Sequence, residues 1–344
     1  MSKLKFIRPG LITTVQDMGR HGYQSLGMPT AGAADPYALA LANALVGNDI
    51  NAAAIEATLQ GPTITLDTDC AFAVTGADMS PTLNGCAIEM NQTYVAKAGD
   101  TIALAGAKCG CRSYVAFSGG VGGSLVMGSR STYMKAAIGG IDGRRAKKDD
   151  ELELINPTAN LKNMALRRAE GELILNYSSP AVLRATLGPQ DDYFTEEGLN
   201  TFFSSVYTVS AESDRMGCRL SGQSVEFAPG KTGNIVSDAV AFGSVQIPSG
   251  QPIIMMADHQ TTGGYPKPCC VIRADLPLAA QLKAGDTLSF KRVSVKEAQY
   301  EYRRQMAALY DFIKKLEADE NKNIWRFEIN VGNKNFSVSV QERL

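Results

Sequence analysis

Histidine is nearly missing from this chain: only His21 and His259 occur in 344 residues. A serine triad or a histidine-built metal centre therefore has little to work with. An excess of either charge is missing too. The 34 basic and 35 acidic residues leave a net charge of −1, which argues against nucleic acid or a membrane surface as partner. No apolar run is long enough to span a bilayer. The longest charge-free window, Ala239 to Ala257, carries Gln246, Pro248, Ser249, Gly250, Gln251 and Pro252. Met1-Ser2-Lys3-Leu4-Lys5 leads into no apolar export segment, so a cytoplasmic protein is expected, with its seven cysteines reduced. Cys109-x-Cys111 and Cys269-Cys270 include no C-x-x-C pair, and no metal site is expected.

Familiar catalytic signatures fail on single positions. Gly230-Lys231-Thr232 ends like a phosphate loop, but the glycine required five positions earlier is Val225. Gly119-Gly120-Val121-Gly122-Gly123 has Leu125 where a dinucleotide fingerprint needs its third glycine. There is no G-x-S-x-G and no H-E-x-x-H.

What is present reads as short strands and turns, with 33 glycines and 44% hydrophobic residues, enough for real cores. Ala71-Phe72-Ala73-Val74 and Ile253-Ile254-Met255-Met256 have the length of buried strands. A turn recurs: Lys97-Ala98-Gly99-Asp100-Thr101-Ile102 returns as Lys283-Ala284-Gly285-Asp286-Thr287-Leu288. The expected fold is mainly β, in two related halves. Residues 1–165 and 166–293 would form the halves, and 294–344 a tail of one helix and a hairpin. Three helices are expected. Asp35 caps the first, with Pro36 at its start and Gly47 past its end. Phe194 to Phe203 is the second, interrupted by Gly198. Ser294 and Glu297 form a capping box for the third, whose stripe runs through Ala298, Tyr302, Met306, Leu309, Ile313 and Leu316. From Trp325 to Val340 the pattern alternates as a hairpin does. Two strands alone are marginal in water, so the tail must pack on the body or on another chain.

Four polar clusters stand apart from this apolar scaffold. The first holds Gln16, Asp17 and Arg20; the second holds Ser129, Arg130 and Ser131 after the glycine-rich loop. Asp214, Arg215 and Arg219 make the third. Gln260-Thr261-Thr262-Gly263-Gly264-Tyr265, with Lys267 just beyond, makes the fourth. Arginine grips anions with two prongs, and glycine lets a ligand approach backbone N–H groups. Arg130, Arg215 and Arg219 are the expected anion ligands, and Thr261 to Gly264 the expected backbone cradle. Asp17 and Asp214 would orient the arginines or act as base. If one site uses the last two clusters, Arg215 and Thr262 should face a common cleft.

Together the clusters spell a resemblance. Thr13-Thr14-Val15-Gln16-Asp17-x-Gly19-Arg20, Ala54-Ile55-Glu56, Gly128-Ser129-Arg130-Ser131-Thr132-Tyr133, Ser213-Asp214-Arg215-Met216-Gly217-x-Arg219-Leu220 and Gln260-Thr261-Thr262-Gly263-Gly264-Tyr265-Pro266 resemble the biotin-dependent carboxyltransferase family, which takes in the C-type subunit of 5-oxoprolinase and the kinase-inhibitor antagonists. The resemblance runs from about Phe6 to Lys291. It implies two cyclophilin-like β-barrel subdomains. It also implies partners: a kinase-inhibitor-like protein of the B type that completes the site, and a lactam-utilisation protein of the A type. His259 and Cys269-Cys270 depart from the family pattern, so no catalytic role for them is implied.

The expected activity is ATP-dependent opening of 5-oxo-L-proline to L-glutamate, with magnesium accompanying the nucleotide. A carboxyl transfer to a urea-like amide, using biotin as carbon carrier, needs the same carbonyl-binding groups. A binding protein that sequesters a kinase inhibitor, its pocket unused, is the alternative from another class.

Overall fold

The computed structural model describes residues 2–157, 161–320, 324–332 and 334–341, and they form a mainly β protein. In the first half the strands sort into two sheets. One holds, in order, Glu151–Glu153, Lys3–Arg8, Thr63–Leu66, Thr101–Ala103, Thr82–Leu83 and Cys86–Ala87. The other holds Ile12–Gln16, Ala54–Thr58, Cys109–Phe117, Cys70–Asp78 and Thr93–Ala96. Alternation sets the inner face. Leu4 and Phe6 point inward, opposite Leu66 and Ile64, and meet Ile55, Phe72, Val74, Val115 and Phe117 of the other sheet. Each such large side chain contributes about 1.5–3 kcal/mol when fully buried.

The strands Cys70–Asp78 and Cys109–Phe117 are covered on both faces, which is why their apolar runs do not alternate. On the outer side Ala73, Tyr114 and Ala116 pack against the helix Pro36–Leu45. Asp35 caps that helix by accepting from Ala38 N at 2.9 Å.

The second half is a closed barrel. Its strands run Ala181–Leu187, Cys269–Val271, Ser244–Gln246, Ile253–Met255, Gly217–Ser221, Val206–Val209 and Thr287–Arg292, and the last pairs in parallel with the first. Leu183, Tyr207, Leu220, Val245, Ile254, Leu288 and Phe290 fill it.

The repeated turn is the same object in both halves. Gly99 and Gly285 sit at φ of +90° and +87°, which glycine reaches without cost. Lys97 N donates to Asp100 Oδ2 at 2.7 Å, and Lys283 N to Asp286 Oδ2 at 3.0 Å. Each turn then feeds a strand.

Between the halves the chain packs on the first half through residue 173: Thr93 N bonds Arg167 O, Ala169 N bonds Asn91 O, and Tyr37 Oη bonds Leu173 O at 3.1 Å. Two helices absent from the sequence reading appear, Leu161–Met164 and Leu276–Ala280. The helix expected from Phe194 starts later, at Glu196, because Thr195 caps it through Gly198 N at 2.8 Å. Gly198 does not interrupt it. A Cβ there would meet Glu226 O at 2.4 Å, so glycine permits a close approach.

The last helix, Val295–Glu320, opens with the expected capping box, Glu297 N to Ser294 Oγ at 3.2 Å and Ser294 N to Glu297 Oε2 at 2.7 Å. It seats on both halves. Leu309 is buried with the first helix, while Glu301 pairs with Arg184 of the barrel at 2.9 Å. The hairpin Ile324–Val331 with Lys334–Gln341 leaves Phe327, Ile329, Val331, Phe336 and Val340 exposed. Among the described residues no helix is long and apolar enough to cross a membrane.

Candidate functional site

Two of the sequence clusters meet in the first half. The strand Ile12–Gln16 delivers Asp17 to the loop at 129–131. The Asp17 carboxylate accepts from Ser129 Oγ at 2.6 Å, Arg130 N at 2.6 Å, Ser131 Oγ at 2.5 Å and Gly19 N at 2.8 Å. Three of these bonds fall on Oδ1 and one, from Arg130 N, on Oδ2, so Asp17 organises the loop around it. Arg130 lends its N–H to Asp17, while its guanidinium turns to Gly123 O at 2.5 Å.

Arg20 points to a ligand. It is 1% accessible, and Nη2 donates to Ser131 O, yet Nε and Nη1 have no partner among the described residues. Burial pulls its pKa down, with Asp17 and then Asp258 opposing. A buried cation with two idle donors is costly unless an anion arrives. Gly139 makes the room: a Cβ there would meet Ser131 O at 2.1 Å and Arg20 Nη2 at 3.0 Å. Gln16 donates to Thr14 Oγ1 at 3.0 Å and Thr132 O at 3.2 Å, leaving Oε1 buried without a donor.

From the second half Asp258 faces this cluster closely enough to act on both Arg20 and Tyr133. Lys135 of the first half touches the Met216 sulfur. The two halves therefore meet along a crease at Arg20, Tyr133 and Lys135 of the first and Met216 and Asp258 of the second.

Arg215 does not serve there as the expected anion ligand. Its Nε and Nη2 bond Asp258 at 3.0 and 2.9 Å, Nη1 bonds Glu56, and Nη2 also bonds Gly32 O. Burial disfavours the charge, but Asp258 and then Glu56 outweigh it and hold the guanidinium above its usual pKa. Glu56 accepts further from Ala34 N at 3.0 Å and Tyr114 Oη at 2.7 Å. Burial opposes its ionisation, yet Arg215 and then Arg112 keep its pKa low. Arg215 is a brace between halves, with Nε, Nη1 and Nη2 each bonded to protein groups.

Asp214 and Arg219 also lie elsewhere. Asp214 is exposed and closes a turn, accepting from Met216 N at 2.7 Å and Gly217 N at 3.1 Å. Arg219 sits between Cys218 and Leu220, which point into the barrel, so strand alternation turns it outward.

The fourth cluster leads away from the crease. Thr262–Gly263 pairs with Asp238–Ala239, so the expected backbone cradle is partly spent on a ladder. Thr261 O accepts from Val240 N at 3.0 Å and Gly264 O from Ile235 N at 2.8 Å. Lys267, 2% exposed, reaches Asp238 Oδ2 at 3.1 Å, an oxygen it shares with Gln190 Nε2 at 3.1 Å. Lys267, through its hydrogen bond, heads the causes that lower the Asp238 pKa. Tyr265 is exposed. Gln260 contributes its carbonyl, which accepts from His259 Nδ1 at 2.7 Å.

Sequence reasoning left Glu56, Asp258 and His259 without roles. A carboxylate inside the apolar strand Ala54–Thr58 was the available signal for Glu56. Asp258 carried the same signal, following Ile253 to Ala257 directly. Among the described residues no group of three or more His, Cys, Asp or Glu side chains is placed to hold a metal ion.

The architecture is shared with known proteins. The carboxyltransferase domain family, subdomains A and B, matches residues 26–292. The chain belongs to this family. It is 40% identical to the C-type subunit of 5-oxoprolinase from Escherichia coli (strain K12) over 296 residues, 86% of this chain and 93% of that one. Urea amidolyase of Lachancea kluyveri is 34% identical over 88% of this chain, which spans only 17% of that protein. The crystal structure of the Kluyveromyces lactis urea amidolyase superposes with a TM-score of 0.85 at 31% identity. It covers 90% of this chain and is itself covered over 20% of its length.

Proposed function

We propose that this protein is the C-type subunit of an ATP-dependent 5-oxoprolinase, acting with A-type and B-type partners in the cytoplasm. One observation carries the reading: the match to the Escherichia coli protein extends over 93% of its length at 40% identity, so the likeness runs through nearly the whole of that protein. The crease supplies chemistry that suits the substrate. Arg20 Nε and Nη1, buried and unpartnered, fit the carboxylate of 5-oxoproline or the phosphoryl group that activates it. Gln16 Oε1, buried without a donor, fits the lactam N–H.

A lactam is a resonance-stabilised amide and resists water. Transfer of the γ-phosphoryl group from ATP to the lactam oxygen removes that resonance. Water then adds to C5, the C5–N bond breaks, and the nitrogen takes a proton, leaving an acyl phosphate. A second water releases phosphate and glutamate. The balance is lactam, ATP and two waters to glutamate, ADP and phosphate. Fixed donors aimed at the developing charge account for most of such a rate. No phosphate loop exists in this chain, so the nucleotide would lie where the partner closes the crease. With no carboxylate cluster for a metal among the described residues, magnesium would come with the nucleotide's phosphates, and no step here depends on it.

The urea amidolyase relationship supports a second reading, carboxyl transfer from biotin to a urea-like amide. Arg20 and Gln16 would then hold carboxylate and amide. Co-purifying the chain with its two partners and supplying ATP with 5-oxoproline decides between them. Glutamate and ADP formed together are expected. Turnover of urea with biotin and bicarbonate, and none of 5-oxoproline, would overturn the first reading.

A further inference from the structure

We propose that Lys267, Gln190 and Gln246 form a binding site for a carboxylate carried on a methylene, and that the chain's own Asp238 fills this site in the free protein. The ligand class is a small flexible acid such as L-glutamate, which takes the place of Asp238. The proposal goes beyond the reaction described above and does not depend on it.

The argument starts from a buried cation. The Lys267 side chain is 3% exposed, and its ammonium carries three protons. Among the described residues it makes one hydrogen bond, to Asp238 Oδ2 at 3.1 Å. That partner belongs to the surface, with its side chain 48% exposed. Burying an ammonium is costly, and a half-exposed carboxylate offsets only part of the cost. Gln190 adds a second donor at the same point. Its Oε1 accepts from Lys267 N at 3.2 Å, which aims Nε2 at Asp238 Oδ2, 3.1 Å away. Lys267 and Gln190 thus already hold a carboxylate, and Asp238 shows the kind that fits.

A third donor is idle. Gln246 is 2% exposed, and its Nε2 has no partner among the described residues. Its neighbour Val245 points into the barrel, so strand alternation turns Gln246 outward. The ladder of Asp238–Ala239 with Thr262–Gly263 covers it there. A Cβ on Gly263 would stand 2.4 Å from Gln246 Nε2, so glycine lets the ladder lie directly on the amide. Asp238 is the residue opposite Gly263. Opposite residues of an antiparallel ladder share a face, with Cβ positions about 5 Å apart. The Gln246 amide and the Asp238 side chain therefore lie on one face of the ladder, and Lys267 and Gln190 meet Asp238 there.

Asp238 is an incomplete ligand. Its Oδ1 accepts from Ala239 N at 2.7 Å, which leaves one oxygen for the site. A free carboxylate brings two, one for Lys267 and Gln190 and one for Gln246. No residue from Pro229 to Ala239 is buried, so Asp238 withdraws without uncovering a core. The site is built from the second half alone, whereas Arg20 of the crease belongs to the first.

The test uses the full chain by itself, with L-glutamate as probe and calorimetric titration as readout. Asp238→Ala removes the competing carboxylate. It should bind glutamate about tenfold more tightly than wild type, because the open site is no longer a minor state. Adding Gln246→Leu to Asp238→Ala should weaken binding about tenfold, and it removes an unsatisfied buried N–H, so the fold should stay as stable. Adding Lys267→Met instead should abolish binding. Adding Arg20→Met should leave the affinity of Asp238→Ala unchanged. An Asp238→Ala chain that is less stable yet binds glutamate no better than wild type would overturn the proposal, marking Asp238 as a ladder contact only. Loss of binding on adding Arg20→Met would also overturn it, by assigning the glutamate to the crease.

Discussion

Gln281, at the end of a short helix in the second half, donates from Nε2 to Asp35, the cap of the first helix, at 2.8 Å. Its Oε1 meanwhile accepts from Cys111 N and Arg112 N, both at 2.9 Å, and Arg112 O takes the other Nε2 proton at 2.9 Å. One amide thus fastens the halves. Tyr177 Oη adds a further bond to Asp35, at 3.0 Å.

Removal of this amide has a definite cost. Gln281→Ala leaves two buried N–H groups unsatisfied, each worth about 1–3 kcal/mol. A loss of roughly 2–6 kcal/mol is expected, read as a lower denaturant midpoint. A midpoint unchanged from wild type would show that water replaces the amide.

Asp35 gives a pH dependence. Burial raises its pKa to about 6, with the bonds from Gln281, Ala38 and Tyr177 opposing the rise. The folded pKa lies above the unfolded one, so the folded state binds more protons between them. The group's contribution is therefore most favourable below the unfolded value of about 3.9. It is lost as pH rises through about 6. In Gln281→Ala the pKa rises further, so the variant should lose more stability at about pH 8 than at about pH 5. Equal losses at the two pH values would argue against an ionised Asp35.

Arg215→Lys should unsettle the fold before it touches turnover. Lysine cannot bridge Asp258, Glu56 and Gly32 O together, and it leaves buried carboxylates short of a partner. Breaking a buried pair costs about 3–5 kcal/mol. Thermal unfolding of the isolated chain should fall well below wild type. A variant of normal stability that is slow only in turnover would return Arg215 to the role of anion ligand.

Arg20→Met should do the reverse. The cation has two donors without partners, so an apolar side chain of similar length should leave the free protein as stable or more so. Stabilisation by 5-oxoproline or inorganic phosphate in a thermal shift should disappear, and kcat of the complex should fall about a hundredfold, as for loss of one transition-state donor. Persistent stabilisation by both anions would place the binding site elsewhere.

The tail offers two truncations with opposite outcomes. Ending the chain after Glu320 removes a hairpin whose Phe327, Ile329, Val331, Phe336 and Val340 are exposed, and should barely move the unfolding temperature. Ending it before Ser294 strips Leu309 and Leu316 from the body and breaks the Arg184–Glu301 pair, and should lower that temperature markedly. Similar effects from both would mean the hairpin is packed.

Legibility in the sequence followed the range of the interactions. The turns at Gly99 and Gly285, the cap at Asp35 and the Ser294–Glu297 box are local, so residue type and spacing were enough. Asp17 was read as a carboxylate that orients arginines or acts as base, and its bonds to partners more than a hundred positions away were invisible. Arg215 misled for the same reason. An arginine beside glycine looks the same whether its carboxylates belong to a ligand or to Glu56, 159 positions earlier. His259 was set aside on its departure from a pattern, whereas its tautomer depends on a carbonyl one residue away.

The barrel's first and last strands, Ala181–Leu187 and Thr287–Arg292, run side by side and in the same direction. Within that ladder Ala181 faces Leu288 and Ala185 faces Arg292. Chain entry at Ala181 and chain exit at Arg292 therefore stand about one strand length apart along the same seam. Sequence added before or after the barrel meets that seam without prising any strand from its neighbour. Entry and exit thus lie at opposite ends of one seam, and the chain passes through this half from one end of the barrel to the other.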